Sequence, residues 1–258
     1  MLAFPDVKDI RLQKAPLSEV ICQVRFPPIL RIASERPVAF QDQVRARFPQ
    51  LLEEKGLEVQ FPRGENVSPS VRAQHAPSLF RFVSEDGATQ ITLATDFYAL
   101  STETYRHWKD FWALIHFVHT AVHTVYEPSY AVRVGLRYVN QISSSNTGLN
   151  SQAALLELLR ADLLTPLRQE SYDTPLEMLN RILLAGERKG ERLTLRVGFK
   201  KAEPALLLDL DYFSEGQIHF ETLEDFYGRA HEVIYRAFRW AIPKDQLAVF
   251  EPLAVQEV

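Results

Sequence analysis

Cysteine is nearly absent from this chain: Cys22 stands alone among 258 residues, which excludes an internal disulfide framework and fits a reducing cytoplasm. Cys22 lies in an apolar, alternating segment, so the reading is a buried small hydrophobe rather than a reactive thiol. Glycine is also scarce, at 10 residues, which leaves few places where backbone amides could cradle a phosphate closely. The chain carries no phosphate-binding Gly-rich loop ending in Lys-Ser/Thr, no Gly-x-Gly-x-x-Gly, no His-Glu-x-x-His and no Gly-x-Ser-x-Gly. These absences lower the expectation of an enzyme, and no cofactor or metal is expected. Charges interrupt every apolar run well before the roughly 20 residues of a membrane span, so no transmembrane helix and no membrane partner are expected. Asp6, Lys8, Asp9 and Arg11 break up the first residues and leave no signal-peptide core. The formal net charge of −4 argues against a sequence-blind nucleic-acid binder, while leaving room for a local basic groove.

What the chain does contain is a self-similarity. Ile91–Tyr126 aligns without a gap on Leu206–Ala241, matching Leu93 to Leu208, Asp96 to Asp211, Asp110 to Asp225, Phe111 to Phe226, His116 to His231 and Val118 to Val233. Further upstream, Val20–Phe26 echoes Val132–Tyr138 at an offset of 112 rather than 115. The expectation is an internal duplication, residues 1–128 and 129–258, packed as one pseudo-symmetric unit.

Periodicity assigns the elements. In the first half it predicts a strand at Glu19–Phe26, a helix from Pro37 through Leu51, a short strand at Leu57–Phe61, a surface loop at Pro62–Pro77, a hairpin of Leu79–Val83 with Gln90–Thr95, and a helix at Thr104–Tyr126. In the second half it predicts a strand at Ala131–Ile142, a helix at Ser151–Leu167, strands at Leu176–Leu184, Arg192–Phe199 and Ala205–Phe213, and a helix at Glu221–Trp240. The fold class is therefore α+β, a duplicated β-α-β(3-4)-α module with a curved antiparallel sheet and its helices on one face. That element order resembles TATA-box-binding-protein-like folds, an analogy of topology that carries no function.

Two constellations could carry chemistry. His116, His119 and His123 share a helix face, yet they sit beside the apolar stripe Phe111, Ile115, Val118 and Val122, so packing or a subunit contact is the stronger reading than a metal site. The second constellation is on the sheet. If Val20, Cys22, Val24 and Phe26 face the helices, and Val132, Val134, Leu136 and Tyr138 likewise, then Arg25, Arg133 and Arg137 point the other way. The same logic sends Arg81, Arg192, Arg196, Asp96, Asp209 and Asp211 to that face. Arginine suits bidentate recognition of carboxylate or phosphate better than lysine does. The expected working surface thus comprises Arg25, Arg81, Arg133, Arg137, Asn140 and Arg196 with Asp96 and Asp211. The plainer alternative is a wet sheet face decorated by cross-strand Arg–Asp pairs.

Arg133-Val134-Gly135-Leu136-Arg137-Tyr138-Val139-Asn140-Gln141-Ile142 resembles the signature of an uncharacterised, sporadically distributed bacterial family of about this length. Pro16-Leu17-Ser18-Glu19 is similar to that family's start, and Asp96-Phe97-Tyr98 followed by Tyr105, Trp108 and Phe111 is similar to its middle. The resemblance implies a bacterial, cytoplasmic protein linked to defence or mobile elements, and it brings no catalytic residues. The expected function is a non-catalytic binding or regulatory protein whose Arg-rich face takes an anionic ligand, a nucleic acid or an acidic protein partner. Two alternatives stay open: an enzyme acting on a phosphorylated or nucleotide ligand held by that face, and a homo-oligomeric scaffold.

Overall fold

A computed structural model describes residues 2–7, 10–55, 78–202 and 205–253. In chain order the elements are β1 (Arg11–Leu12), β2 (Leu17–Arg25), α1 (Leu30–Ser34), α2 (Val38–Val44), β3 (Gln50–Lys55), β4 (Ser78–Val83), β5 (Thr89–Ala94), β6 (Phe97–Thr102) and α3 (Trp108–Tyr126). They continue with β7 (Ala131–Ser143), α4 (Ser144–Thr147), α5 (Gln152–Leu156), β8 (Glu177–Ala185), β9 (Glu191–Lys200), β10 (Ala205–Ile218), α6 (Leu223–Ala241) and β11 (Pro252–Leu253). The class is α+β, with a nine-stranded antiparallel sheet in the order β3-β4-β5-β6-β2-β7-β10-β9-β8 and a small β1–β11 pair. No helix among the described residues is long and apolar enough to cross a membrane.

The chain divides into two compact units, one of Cys22–Arg133 with Gln217–His219, the other of Met1–Ile21, Val134–Gly216 and Phe220–Val258. In the unit built around Cys22–Arg133, Val20-to-Phe26 alternation puts Cys22, Val24 and Phe26 in the core at 1% exposure or less. Phe40 of α2 meets Phe82 of β4 edge-on at 5.1 Å, and the Tyr98 hydroxyl of β6 bonds His119 Nδ1 of α3 at 2.8 Å. In the other unit, Tyr212 of β10 stacks near Phe226 of α6, and the Tyr138 hydroxyl of β7 bonds His231 Nδ1 at 2.9 Å. Each unit thus lays its long helix on the sheet face that its alternating apolar side chains cover. Phe111, Val118, Phe226 and Val233 are all core residues.

Several sequence expectations need correction. The helix expected from Pro37 through Leu51 stops at Val44, and Gln50 already opens β3, leaving Leu51 39% exposed. Phe40, Val44 and Phe48 are buried as the spacing required, so the period was right and its last member was not. The helix expected over Ser151–Leu167 is two pieces, α5 and a 3-10 turn at Ala161–Arg168 that contains Pro166. Proline lacks the N–H that an α-helical bond to Asp162 would need. Val132, expected to face inward, is 38% exposed at the start of β7. The Leu57–Phe61 strand and the Pro62–Pro77 loop lie outside the described residues.

At the aligned positions Trp108 and Leu223, α3 and α6 both begin, and each runs 19 residues. Upstream the aligned residues differ. Ile91–Thr102 is a hairpin that turns at Thr95–Asp96, whereas the aligned residues lie within the unbroken strand β10. The cause is phase: buried Ile91 and Leu93 are odd-numbered and Tyr98 and Leu100 even, while Leu206, Leu208, Leu210 and Tyr212 keep one parity throughout.

Phe111 is 2% exposed, so Phe111→Ala should lower unfolding stability by about 3–5 kcal/mol. Denaturant unfolding of the variant checks this; an unchanged midpoint would show α3 to be turned the other way.

Candidate functional site: the charged sheet face

Pairing registers settle which side chains share the face opposite α6. Tyr138 and Tyr212 point to α6 through their contacts with His231 and Phe226. Period-two alternation then sends Arg137, Leu207, Asp209 and Asp211 to the opposite face. Across the ladder, Asp209 stands against Arg196, Asp211 against Thr194 and Leu207 against Gly198. One strand further, Arg181 stands against Arg196, Leu183 against Thr194 and Leu179 against Gly198.

Asp209 organises this face. Arg137 donates through Nε to Oδ1 at 2.7 Å and through Nη2 to Oδ2 at 2.8 Å, and Arg196 Nη1 donates to Oδ2 at 2.8 Å. The carboxylate is 1% exposed, whereas Arg137 keeps 41% and Arg196 26% of its side-chain surface in solvent. The bond from Asp209 raises the Arg137 pKa, with further contributions from the nearby Asp209, Asp211 and Glu19 charges. Three charge-assisted bonds to one carboxylate, two of them bidentate, are what a nearly dry carboxylate requires.

Asn140 has the parity of Tyr138, is 3% exposed, and donates Nδ2 to the Leu208 carbonyl at 3.0 Å, so it braces the β7–β10 backbone. In the unit built around Cys22–Arg133, Arg25 Nη2 meets Asp96 Oδ2 at 2.5 Å, with both side chains substantially exposed, and Arg133 Nη1 donates to Gln23 Oε1 at 3.0 Å. Arg81 lies between Leu52 of β3 and Thr92 of β5 in register. Asp211 is 9% exposed, opposite Thr194. Two open clefts, of about 450 and 640 Å³, are lined by Leu183–Arg192 and by residues from Arg31 to Tyr126; Arg137, Arg196 and Asp209 line neither.

An ionic cluster on the helix side escaped the sequence reading. Glu191, 6% exposed, accepts from the Tyr212 hydroxyl at 2.6 Å, from Arg229 Nη2 at 2.6 Å and from the Arg188 amide at 3.2 Å. Burial and the bond to Glu191 push the Tyr212 hydroxyl pKa up. Arg229 and Arg188 both hold Asp225, and their bonds lower its carboxyl pKa. Glu191 has the parity of Leu193 and Leu195, an acidic residue on an apolar face, and that was the signal available. The cluster ties the β8–β9 hairpin to α6 through Glu191 and Arg229, with Arg229 Nε buried and without a hydrogen-bond partner among the described residues.

On α3, His119 is packed against Tyr98 and its ring lies 4.5 Å from that of His123. Among the described residues no three His, Cys, Asp or Glu side chains gather as a metal site would need. Burial, helped by the neighbouring His123 and His116, lowers the His119 pKa to about 4.

No family model matches the chain, and no curated protein matches it.

Two outcomes follow. Asp209→Ala strands two guanidinium groups beside one another and should cost about 2–4 kcal/mol, less than a fully buried pair because both arginines reach water; equilibrium unfolding reads it. His119 has a depressed folded pKa, so its contribution is fully present above pH 6.5 and is lost as pH falls towards 4. Melting temperature should therefore fall more steeply across that window in the native protein than in His119→Gln.

Proposed function

We propose that this is a non-catalytic binding protein whose working surface is the charged sheet face, and that its partner is an acidic segment of another protein. The observation that carries this reading is the disposition of Arg137. It commits Nε and Nη2 to Asp209, keeps Nη1 without a partner among the described residues, and remains 41% exposed. A guanidinium braced in this way presents its remaining donors in a fixed direction, so little side-chain entropy is lost when an incoming carboxylate is bound. Arg196, held by the same carboxylate, offers a second fixed cation beside it. Arg137 and Arg196 line neither of the two clefts, whereas a small phosphorylated substrate would demand an enclosing site. The net charge of −4 favours a short acidic segment over the long phosphate backbone of a nucleic acid.

Fluorescence anisotropy with a labelled glutamate-rich peptide, an oligothymidylate of equal length and inorganic phosphate as competitor tests the proposal. The peptide should bind in a salt-sensitive manner, and Arg137→Lys should weaken it roughly three- to tenfold while the protein stays folded. Indifference of binding to Arg137→Lys, with stability alone reduced, would make Arg137 structural. Saturable preference for the oligonucleotide or for phosphate would transfer the site to the alternative ligand classes.

A further inference from the structure

We infer that β8 is a self-complementary edge through which two copies of this chain pair as an antiparallel, twofold-symmetric dimer. β8 ends the strand order, so one side of its backbone has no strand partner among the described residues. The hydrogen bonds at its two ends define which side that is. The Lys201 amide donates to the Leu176 carbonyl and the Gly186 amide to the Glu191 carbonyl, both in the register of the β8–β9 ladder. Even-numbered residues of β8 therefore turn their backbone groups towards β9. Glu177, Leu179, Arg181, Leu183 and Ala185 turn theirs to the free edge.

The side chains at this edge do not protect it. Leu179 is 64% exposed and Leu183 49%, and Leu176 just before the strand is 79% exposed. Arg181 sits directly opposite Arg196, whose charge is already answered by Asp209, while Arg181 has no ion pair among the described residues. Like charges face to face across a ladder destabilise it unless a carboxylate arrives from elsewhere. Glu177, two positions from Leu179 on the same side, also makes no ion pair among the described residues.

A second copy supplies what is missing in one register. With the twofold axis at Leu179, Glu177 of each chain stands against Arg181 of the other, and the two Leu179 side chains meet on the axis. Moving the axis to Arg181 sets the two cations against each other, and moving it to either position beside Leu179 sets charges against leucines. Pro175, which has no N–H to donate, limits the new ladder to Glu177–Arg181 on each side. Charge pattern, backbone direction and exposed leucines thus select the same pairing.

Native mass spectrometry together with light scattering on a concentration series tests this. The native chain should be a dimer. Glu177→Arg and Arg181→Glu should each weaken dimerisation about tenfold or more, because two attractive pairs become repulsive, and combining them should restore it. Leu179→Lys, which brings two cations together on the axis of an exposed site, should give a folded monomer. A monomeric native chain, a dimer indifferent to either reversal, a folded double variant that stays monomeric, or a dimer that survives Leu179→Lys would overturn the inference.

Discussion

The Asp209 carboxylate is the constraint around which the charged face is arranged. At 1% exposure it has left water, and that cost is met only by groups that bring full charge and well-aimed donors. Arg137 reaches it from β7 and Arg196 from β9, so one anion pins side chains from the two strands flanking β10. The register Asp209 against Arg196 is thereby fixed chemically as well as by the apolar alternation on the other side. Displacing β10 by one residue would put Leu208 or Leu210 between the guanidinium groups and bury Asp209 against α6.

Other ion pairs bear differently on the structure. Arg25–Asp96 joins two substantially exposed side chains, and such pairs contribute little to stability. The Glu191 and Arg229 side chains are 5% and 15% exposed, and with the Tyr212 hydroxyl they link the sheet to α6. That link anchors the hairpin whose first strand is β8. A rigid β8 presents its free backbone groups in a fixed line, which a frayed edge could not do.

Much of this arrangement was legible in the chain. Alternation at Val20–Phe26, Val134–Tyr138 and Leu206–Tyr212 marks the strands and their buried faces, and it sets Arg137 and Asp209 on the side away from the helices. Less legible were features that depend on pairing between distant strands. Nothing local to Glu191 reveals that Tyr212 and Arg229 will enclose it. Asn140 follows Arg137 closely enough to suggest a shared site, yet parity places it on the buried side, bonded to the Leu208 carbonyl. The gapless self-alignment overlooked a change of phase at Thr95–Asp96, where one extra residue between buried positions converts a continuing strand into a hairpin. Leucine content alone favoured one helix over Ser151–Leu167, whereas α5 ends at Leu156 and Pro166 lies in a separate 3-10 segment.

The proposed binding role requires Arg137 to be held by Asp209 before any partner is met, so that its remaining donors are fixed in place. A double-mutant cycle on Arg137→Ala and Asp209→Ala, read by equilibrium unfolding, measures that coupling most directly. The bidentate geometry at 2.7 and 2.8 Å predicts a coupling of about 1.5–3 kcal/mol. Additive single effects, with a coupling within about 0.5 kcal/mol of zero, would show that the guanidinium is not braced and would contradict the account.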